Sequence, residues 1–247
     1  DYLDKFIGKN TSKFNPLLGI KFSPTDDTDF HLSFSKKSKF PSMRSMYSTS
    51  SGNPDLLSEA GTSWELGFTL SKGIYLAGAV FLNRFKDFID TIRLPDNTRR
   101  FFNISKAHIY GFEFQMQKSI RLLETTINYT YLDHKNETDS RPLDALPNHN
   151  LNFDLNFFPL KQFRIGFYGL LASSSSWFDF SSSKILDIPS YFYLDAVLAY
   201  QWKQLELFIK ATNIFDRYFY TEPIFPCKGR TLELGIRVNL LRERPAE

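Results

Sequence analysis

Four histidines and one cysteine are the side chains best suited to hold a metal or act as a nucleophile: His31, His108, His134, His149 and Cys227. Their spacing does not gather them. No two histidines stand at ligand spacing, and no H-E-x-x-H occurs. One cysteine excludes both an internal disulfide framework and a cysteine-based zinc site. A single histidine on a polar strand face reads as solvated, and Cys227 as a free or incidental thiol. No serine sits in a G-x-S-x-G turn, and glycine-rich phosphate loops are absent. The chain is therefore expected to have no catalytic residue, no cofactor site and no metal site, and not to be an enzyme.

The remaining candidates are charges in alternating segments. Glu113, Asp154, Asp195, Glu206 and Glu233, with Arg164, Lys210 and Arg237, fall on the polar positions of those segments. A carboxylate dyad for acid–base work is not supported by their spacing. They read as charges on a wet wall that pair with each other or hold another part of the protein. Ser173 to Ser176, then Trp177-Phe178-Asp179-Phe180, then Ser181 to Ser183 form a serine-rich stretch. It reads either as a flexible outer loop or as aromatic ligand contact at a mouth. The triplet Ile109-Tyr110-Gly111 looks like a fluorescent-protein chromophore, but that chemistry needs a central helix. Here the triplet lies in an alternating strand.

What must position these residues is a sheet. Residues 149–158 read HNLNFDLNFF, with Leu151, Phe153, Leu155 and Phe157 on one face and Asn150, Asn152, Asp154 and Asn156 on the other. A strand separates these sets completely; a helix would scatter them. The same alternation runs through Phe30–Phe34, Tyr110–Met116, Leu205–Ala211 and Leu232–Leu240. It predicts about eleven strands, near 16–23, 29–36, 62–70, 74–92, 100–118, 122–134, 147–158, 162–175, 190–202, 204–213 and 229–240. No convincing amphipathic helix is visible. Several strands reach the ~9–11 residues that cross a bilayer.

Composition agrees. Aromatic residues make up 17% of the chain, with 26 Phe and 12 Tyr, and these suit strands. Mean hydropathy is −0.30, which a membrane barrel tolerates because only alternate residues meet lipid. No apolar run approaches the ~18 residues of a membrane helix. The 30 Lys and Arg are spread beside 27 Asp and Glu for a net charge of +3, which argues against a nucleic-acid partner.

The connections alternate in length. Short turns are expected near 24–28, 71–73, 119–121, 159–161 and 203, and long loops near 37–61, 93–99, 135–146, 176–189 and 214–228. Outer-membrane barrels are built this way, with tight periplasmic turns and extended outer loops. Aromatic residues collect at both predicted levels: Phe22, Phe30, Phe157, Phe158, Phe163, Tyr200 and Trp202 near the short turns, and Trp64, Tyr129, Tyr131, Tyr191 and Phe192 towards the long loops. Such girdles are expected at the two headgroup levels. A sheet in lipid must close, because free backbone groups cost several kcal/mol there. Bacterial barrels close with even strand numbers. Eleven strands beginning inside an outer loop therefore predict missing chain or a miscounted twelve-stranded barrel. The first residues, DYLDKFIGKN, lack the layout of a signal peptide, so a leader was removed or the chain is a fragment.

The end of the chain favours missing chain. Residues 205–240 contain Asn213-Ile214-Phe215-Asp216, an aromatic loop from Tyr218 to Pro223, and Gly229-Arg230 leading into the last strand. This combination resembles the C-terminus of TonB-dependent receptors. Gly52-Asn53-Pro54-Asp55-Leu56 followed by Glu65-Leu66-Gly67, Phe85-Lys86-Asp87-Phe88-Ile89, Asn103 with Ala107 and Tyr110-Gly111-Phe112-Glu113, and Leu146-Pro147 with His149 resemble that family in the same order. The likeness covers most of 16–240. One departure is that the last strand ends on Leu240 and continues LRERPAE, where the family commonly ends on an aromatic residue.

The resemblance implies an all-β fold: an antiparallel transmembrane β-barrel of roughly 22 strands, of which about eleven are present. The N-terminal plug and the first half would be missing, and residues 1–247 would be one incomplete domain. It implies an outer-membrane receptor of a Gram-negative bacterium that takes up a scarce nutrient of the siderophore-iron, cobalamin or haem class. Its partners would be the TonB complex, through the missing N-terminal part, outer-membrane lipid and the large nutrient ligand. No cofactor is implied, and no ligand-contacting residue is assigned. Two other readings stay open on the residues alone: a small complete outer-membrane barrel acting as a passive pore or lipase, and a soluble sugar-binding β protein whose apolar face points inwards.

Overall fold

The computed structural model describes residues 12–94, 96–137, 143, 145–179, 182, 184–222 and 225–238. The expectations placed on residues 1–11, Phe180, Ser181, Ser183, Pro223 and the stretch from Asn239 onward lie outside them. All eleven expected strands form. They are β1 (Leu17–Thr25), β2 (Thr28–Lys39), β3 (Glu59–Leu70), β4 (Tyr75–Arg93), β5 (Arg99–Ile120), β6 (Leu123–Asn136), β7 (His149–Leu160), β8 (Phe163–Ala172), β11 (Tyr191–Trp202), β12 (Leu205–Thr212) and β15 (Thr231–Val238). They make one antiparallel sheet in the order β1-β2-β3-β4-β5-β6-β7-β8-β11-β12-β15. Each strand pairs with its neighbour in sequence, which only tight turns and returning loops allow. The result is a partial barrel.

Register makes the sheet two-faced without a break. One ladder runs Phe22, Phe30, Phe68, Gly78, Phe114, Tyr129, Leu151, Leu171, Phe192. Directly paired residues share a face, so alternation within each strand becomes a continuous apolar band across all eleven. Members of the band are open to the surroundings, up to 76% for Leu234. The other face carries the polar set. Its ladder Tyr75, Gln117, Thr126, Asp154, Tyr168, Asp195 crosses six strands. Side chains crowd together on this polar face, where Ala172, Asp195 and Ala199 are buried. That asymmetry marks the polar face as the concave one.

The apolar ladder also drifts. It starts at Phe22, beside the short turn after β1, and ends at Phe192, beside the long connection before β11. The strands are therefore sheared past one another, the stagger that barrel geometry requires.

The short turns are residues 26–27, 71–74, 121–122, 161–162 and 203–204, and the other five connections lie at the opposite end. Three of these turns contain a left-handed residue: Gly73 (φ 66°), Arg121 (φ 35°) and Lys203 (φ 54°). One expectation is corrected. The connection near 93–99 is a five-residue tip, 94–98, and the length lies in the strands instead. β4 has 19 residues and β5 has 22, roughly twice what a bilayer crossing needs. Their upper halves form a ribbon that rises past the rest of the sheet.

The long connections hold structure of their own. A five-residue helix, α1 (Met43–Tyr47), capped by the Ser42 hydroxyl, stands in the first. It had no visible signature, since five residues are too few for a helical period to register. A hairpin of β9 (Ser175–Asp179) and β10 (Lys184–Ile188) occupies the serine-rich connection, and a small one of β13 (Tyr220–Glu222) and β14 (Phe225–Pro226) the last. Among the described residues no helix is long and apolar enough to cross a membrane.

Candidate functional site: the concave wall and its long-loop rim

All eight expected charges are on the concave face. Glu113 pairs in register with Ala79 and Thr130, and Lys210 with Val197 and Glu233. Six of the eight converge over β7, β8, β11, β12 and β15, where Asp154, Arg164, Asp195, Glu206, Lys210 and Arg237 line a cleft of about 460 Å³ with Tyr168 and Tyr193. Glu206 is its hub. It meets Arg237 at 2.6 Å on the neighbouring strand and Arg164 at 4.0 Å two strands away. Two strand spacings are about 9.5 Å, and the reach is open because Ala199 stands between Arg164 and Phe208. Arg237 also lies over the Phe208 ring, 5.7 Å from its centre. The far end of that ring covers Gly235, where a Cβ would meet Phe208 Cζ at 2.2 Å.

Asp195 is the second hub, and it is only 7% exposed. Its Oδ2 accepts from the Tyr193 hydroxyl at 2.6 Å, with Lys210 Nζ at 3.8 Å. Its Oδ1 accepts from the backbone N–H of Asn213 at 2.9 Å. Every carboxylate here faces a cation or a donor, which is how partly buried charge is stabilised. Glu113 and Glu233 lie on the same face outside the lining of this cleft.

Asn213 belongs to the rim. Its Nδ2 donates to the carbonyls of Arg217 and Lys228, and its Oδ1 accepts from Arg217 N–H. Asp216 Oδ1 then accepts from Arg230 N–H at 2.7 Å. Asn213 and Asp216 both have positive φ, 47° and 52°, which asparagine and aspartate tolerate better than most residues. The segment Asn213–Asp216 thus ties the start of the last long connection to its end. Above it, Tyr191 and Phe219 stack at 4.6 Å, Phe219 approaches Tyr193 at 6.0 Å, and Cys227 N–H donates to the Phe219 carbonyl.

A similar knot closes the first long connection. Asn53 Nδ2 donates to the Phe101 carbonyl, and Asn103 exchanges two hydrogen bonds with the Leu57 backbone while donating to the Asp87 carbonyl. Asp87 sits at φ 57° in the bulged stretch of β4. The α1 connection is thereby laid against the β4–β5 ribbon.

The histidines are placed less uniformly than expected. His31 and His134 are on the concave face, bonded to Glu65 and to the Leu146 carbonyl. His108 and His149 are on the apolar face, because they pair with Arg84 and with Tyr131, bonding Glu137 and the Tyr129 hydroxyl. Among the described residues no group of histidine, cysteine and carboxylates is arranged to hold a metal. Tyr110 lies in β5 with its hydroxyl on Asp133, as a strand residue. Trp177 and Phe178 stand in β9, facing Leu186 and Ile185 of β10. Asn213, Asp216 and Asn103 stand at the family-like motif positions, and residue type alone does not reveal their bonding.

This wall has known counterparts. The TonB dependent receptor-like β-barrel model matches residues 1–214. The chain belongs to that family. Its relatives include the vitamin B12 transporter BtuB of Vibrio vulnificus, 24% identical over 207 residues, 83% of this chain and 33% of that protein. The siderophore receptor PirA from Acinetobacter baumannii superposes with a TM-score of 0.76 at 20% identity, covering 91% of this chain and 40% of that one. The ferripyoverdine receptor of the outer membrane of Pseudomonas aeruginosa gives 0.74 at 17%, covering 93% and 33%. These likenesses show the fold. The chain spans about a third of the length of the curated relative.

Proposed function

We propose that this wall is part of an outer-membrane receptor of a Gram-negative bacterium that takes up a scarce nutrient of the siderophore-iron, cobalamin or haem class, driven by TonB. One observation carries the reading: eleven strands keep a polar concave face and an apolar convex band in continuous register, with every long connection at one end. Lipid accepts only the apolar face, and a polar lumen is where a large hydrophilic ligand passes. Membership of the TonB-dependent receptor-like family supports the coupling to TonB. The vitamin B12 and siderophore specificities of the relatives named above support the nutrient class. The chain's own share is wall and rim. Its knotted loops at Asn53, Asn103 and Asn213 hold a mouth in shape for capture, and its charged cleft offers a surface for a plug to lean on. No step of bond chemistry is assigned to it.

The test is uptake of labelled ferric siderophore, cobalamin and haem by cells producing the full-length protein. Uptake of one of them should stop when TonB is deleted or the proton gradient is collapsed. Uptake indifferent to both overturns the reading.

A further inference from the structure

The convex face changes character along its height over five strands. From the apolar band towards the long-loop end, one rung reads Leu32, Leu66, Val80, Phe112, Tyr131, and the next reads Phe34, Trp64, Leu82, Tyr110, Asp133. The rung after that reads Lys36, Thr62, Arg84, His108, Lys135, every neighbour directly paired. Above it Ser38, Ala60 and Lys86 continue. Apolar, aromatic, cationic is the order in which a bilayer presents tails, interface and headgroup charge.

The cations are available. Lys36, Arg84, Lys86 and Lys135 are exposed, and among the described residues none has an ion-pair partner. Two carboxylates share the face; Asp133 takes the Tyr110 hydroxyl and Glu137 takes His108 Nδ1. The rung is also specific to this sector. On β7, β8, β11, β12 and β15 no outward strand position carries lysine or arginine; those positions read Leu, Phe, Ile, Gly, Ala, Val, Tyr, Trp and one His.

We infer that the Lys36–Arg84–Lys135 rung is a docking surface for the phosphate groups of membrane lipid in the leaflet at the long-loop end. It rests on the outer-membrane reading. The rung spans four strand spacings, about 19 Å, so it suits anions held in a plane by anchored headgroups rather than one free ion. It lies on the convex face, away from the lumen and its cargo. Lysine and arginine beside an anionic lipid surface each strengthen attachment about fivefold.

The experiment uses the full-length protein in phosphatidylcholine nanodiscs doped with outer-membrane glycolipid, either phosphorylated or stripped of its phosphates, with retained glycolipid counted by native mass spectrometry. The wild type should retain the phosphorylated form preferentially. A Lys36→Gln/Arg84→Gln/Lys135→Gln variant should lose that preference by about a hundredfold, while Lys36→Arg/Arg84→Lys/Lys135→Arg and the remote Lys184→Gln should keep it. Equal retention of both forms by the wild type, or an unchanged triple variant, overturns the inference. Displacement of the glycolipid by an equal concentration of inorganic phosphate overturns the lipid as its source. A protein that does not enter the nanodisc overturns the membrane reading, and this inference with it; a protein that enters without preference overturns this inference alone.

Discussion

The carboxylate of Asp195 accepts the backbone N–H of Asn213 across 2.9 Å. This one bond joins the Asp195 hub to the rim. It connects the charged concave cleft to the knot that shapes the last long connection, so wall and rim are one bonded unit. Asp195→Ala should orphan three groups at once: Asn213 N–H, the Tyr193 hydroxyl and, more loosely, Lys210. The expected cost is about 2–4 kcal/mol, read as earlier thermal loss of the folded barrel. Asp195→Asn keeps an acceptor and should cost less.

Asn213→Ala removes three side-chain bonds and leaves alanine at a positive φ. Loop 213–230 should become a site of rapid proteolysis while the eleven strands persist. Asn213→Gly relieves the backbone but not the bonds, so its cleavage rate should fall between the two. Equal protection in all three proteins would contradict the knot.

Gly235→Val places a branched side chain where the Phe208 ring lies, and the ring also carries Arg237. Overpacking of this kind costs about 1–3 kcal/mol. A paired Phe208→Ala should recover part of that loss, since it removes the clash. A double-mutant cycle on thermal stability measures the recovery.

Val80→Arg sets a charge inside the apolar band, and Ala79→Arg, one residue away, sets it on the polar face. On the outer-membrane reading the first should lower barrel stability by about 2–4 kcal/mol and the second by much less. Folding titrations into phosphatidylcholine vesicles compare them. Equal penalties would mean that the apolar face does not meet lipid.

The strands were legible because alternation over seven or more residues, as in Leu151–Phe157, has no competing reading. The elements inside the loops were not. β9 is five residues from a serine-rich stretch, and α1 is a single turn; neither is long enough to display a period. The faces of Asp195, Glu206 and Lys210 were legible, since parity alone assigns them. Their partners were not, because Arg164 reaches Glu206 across an intervening strand and only register brings them together. His108 and His149 show the same limit: each is a polar residue that register nevertheless pairs into the convex face. No residue type announced the bonds of Asn103 and Asn213, which depend on positive-φ turns at Asp87 and at Asn213 itself.

The register of this sheet behaves like a parity code. Its interruptions in the main sheet fall at Phe22/Thr25, Phe85/Phe88/Ile89 and Phe157/Leu160, two beside short turns and one in the rising ribbon, none within the apolar band. A single inserted residue inside the band would exchange inside for outside along the rest of that strand and put its partners out of step. Length can therefore vary freely in the loops, but within the band it can change only in pairs. On the receptor reading proposed above, cargo specificity can diversify at the mouth while the counting rule beneath it stays fixed.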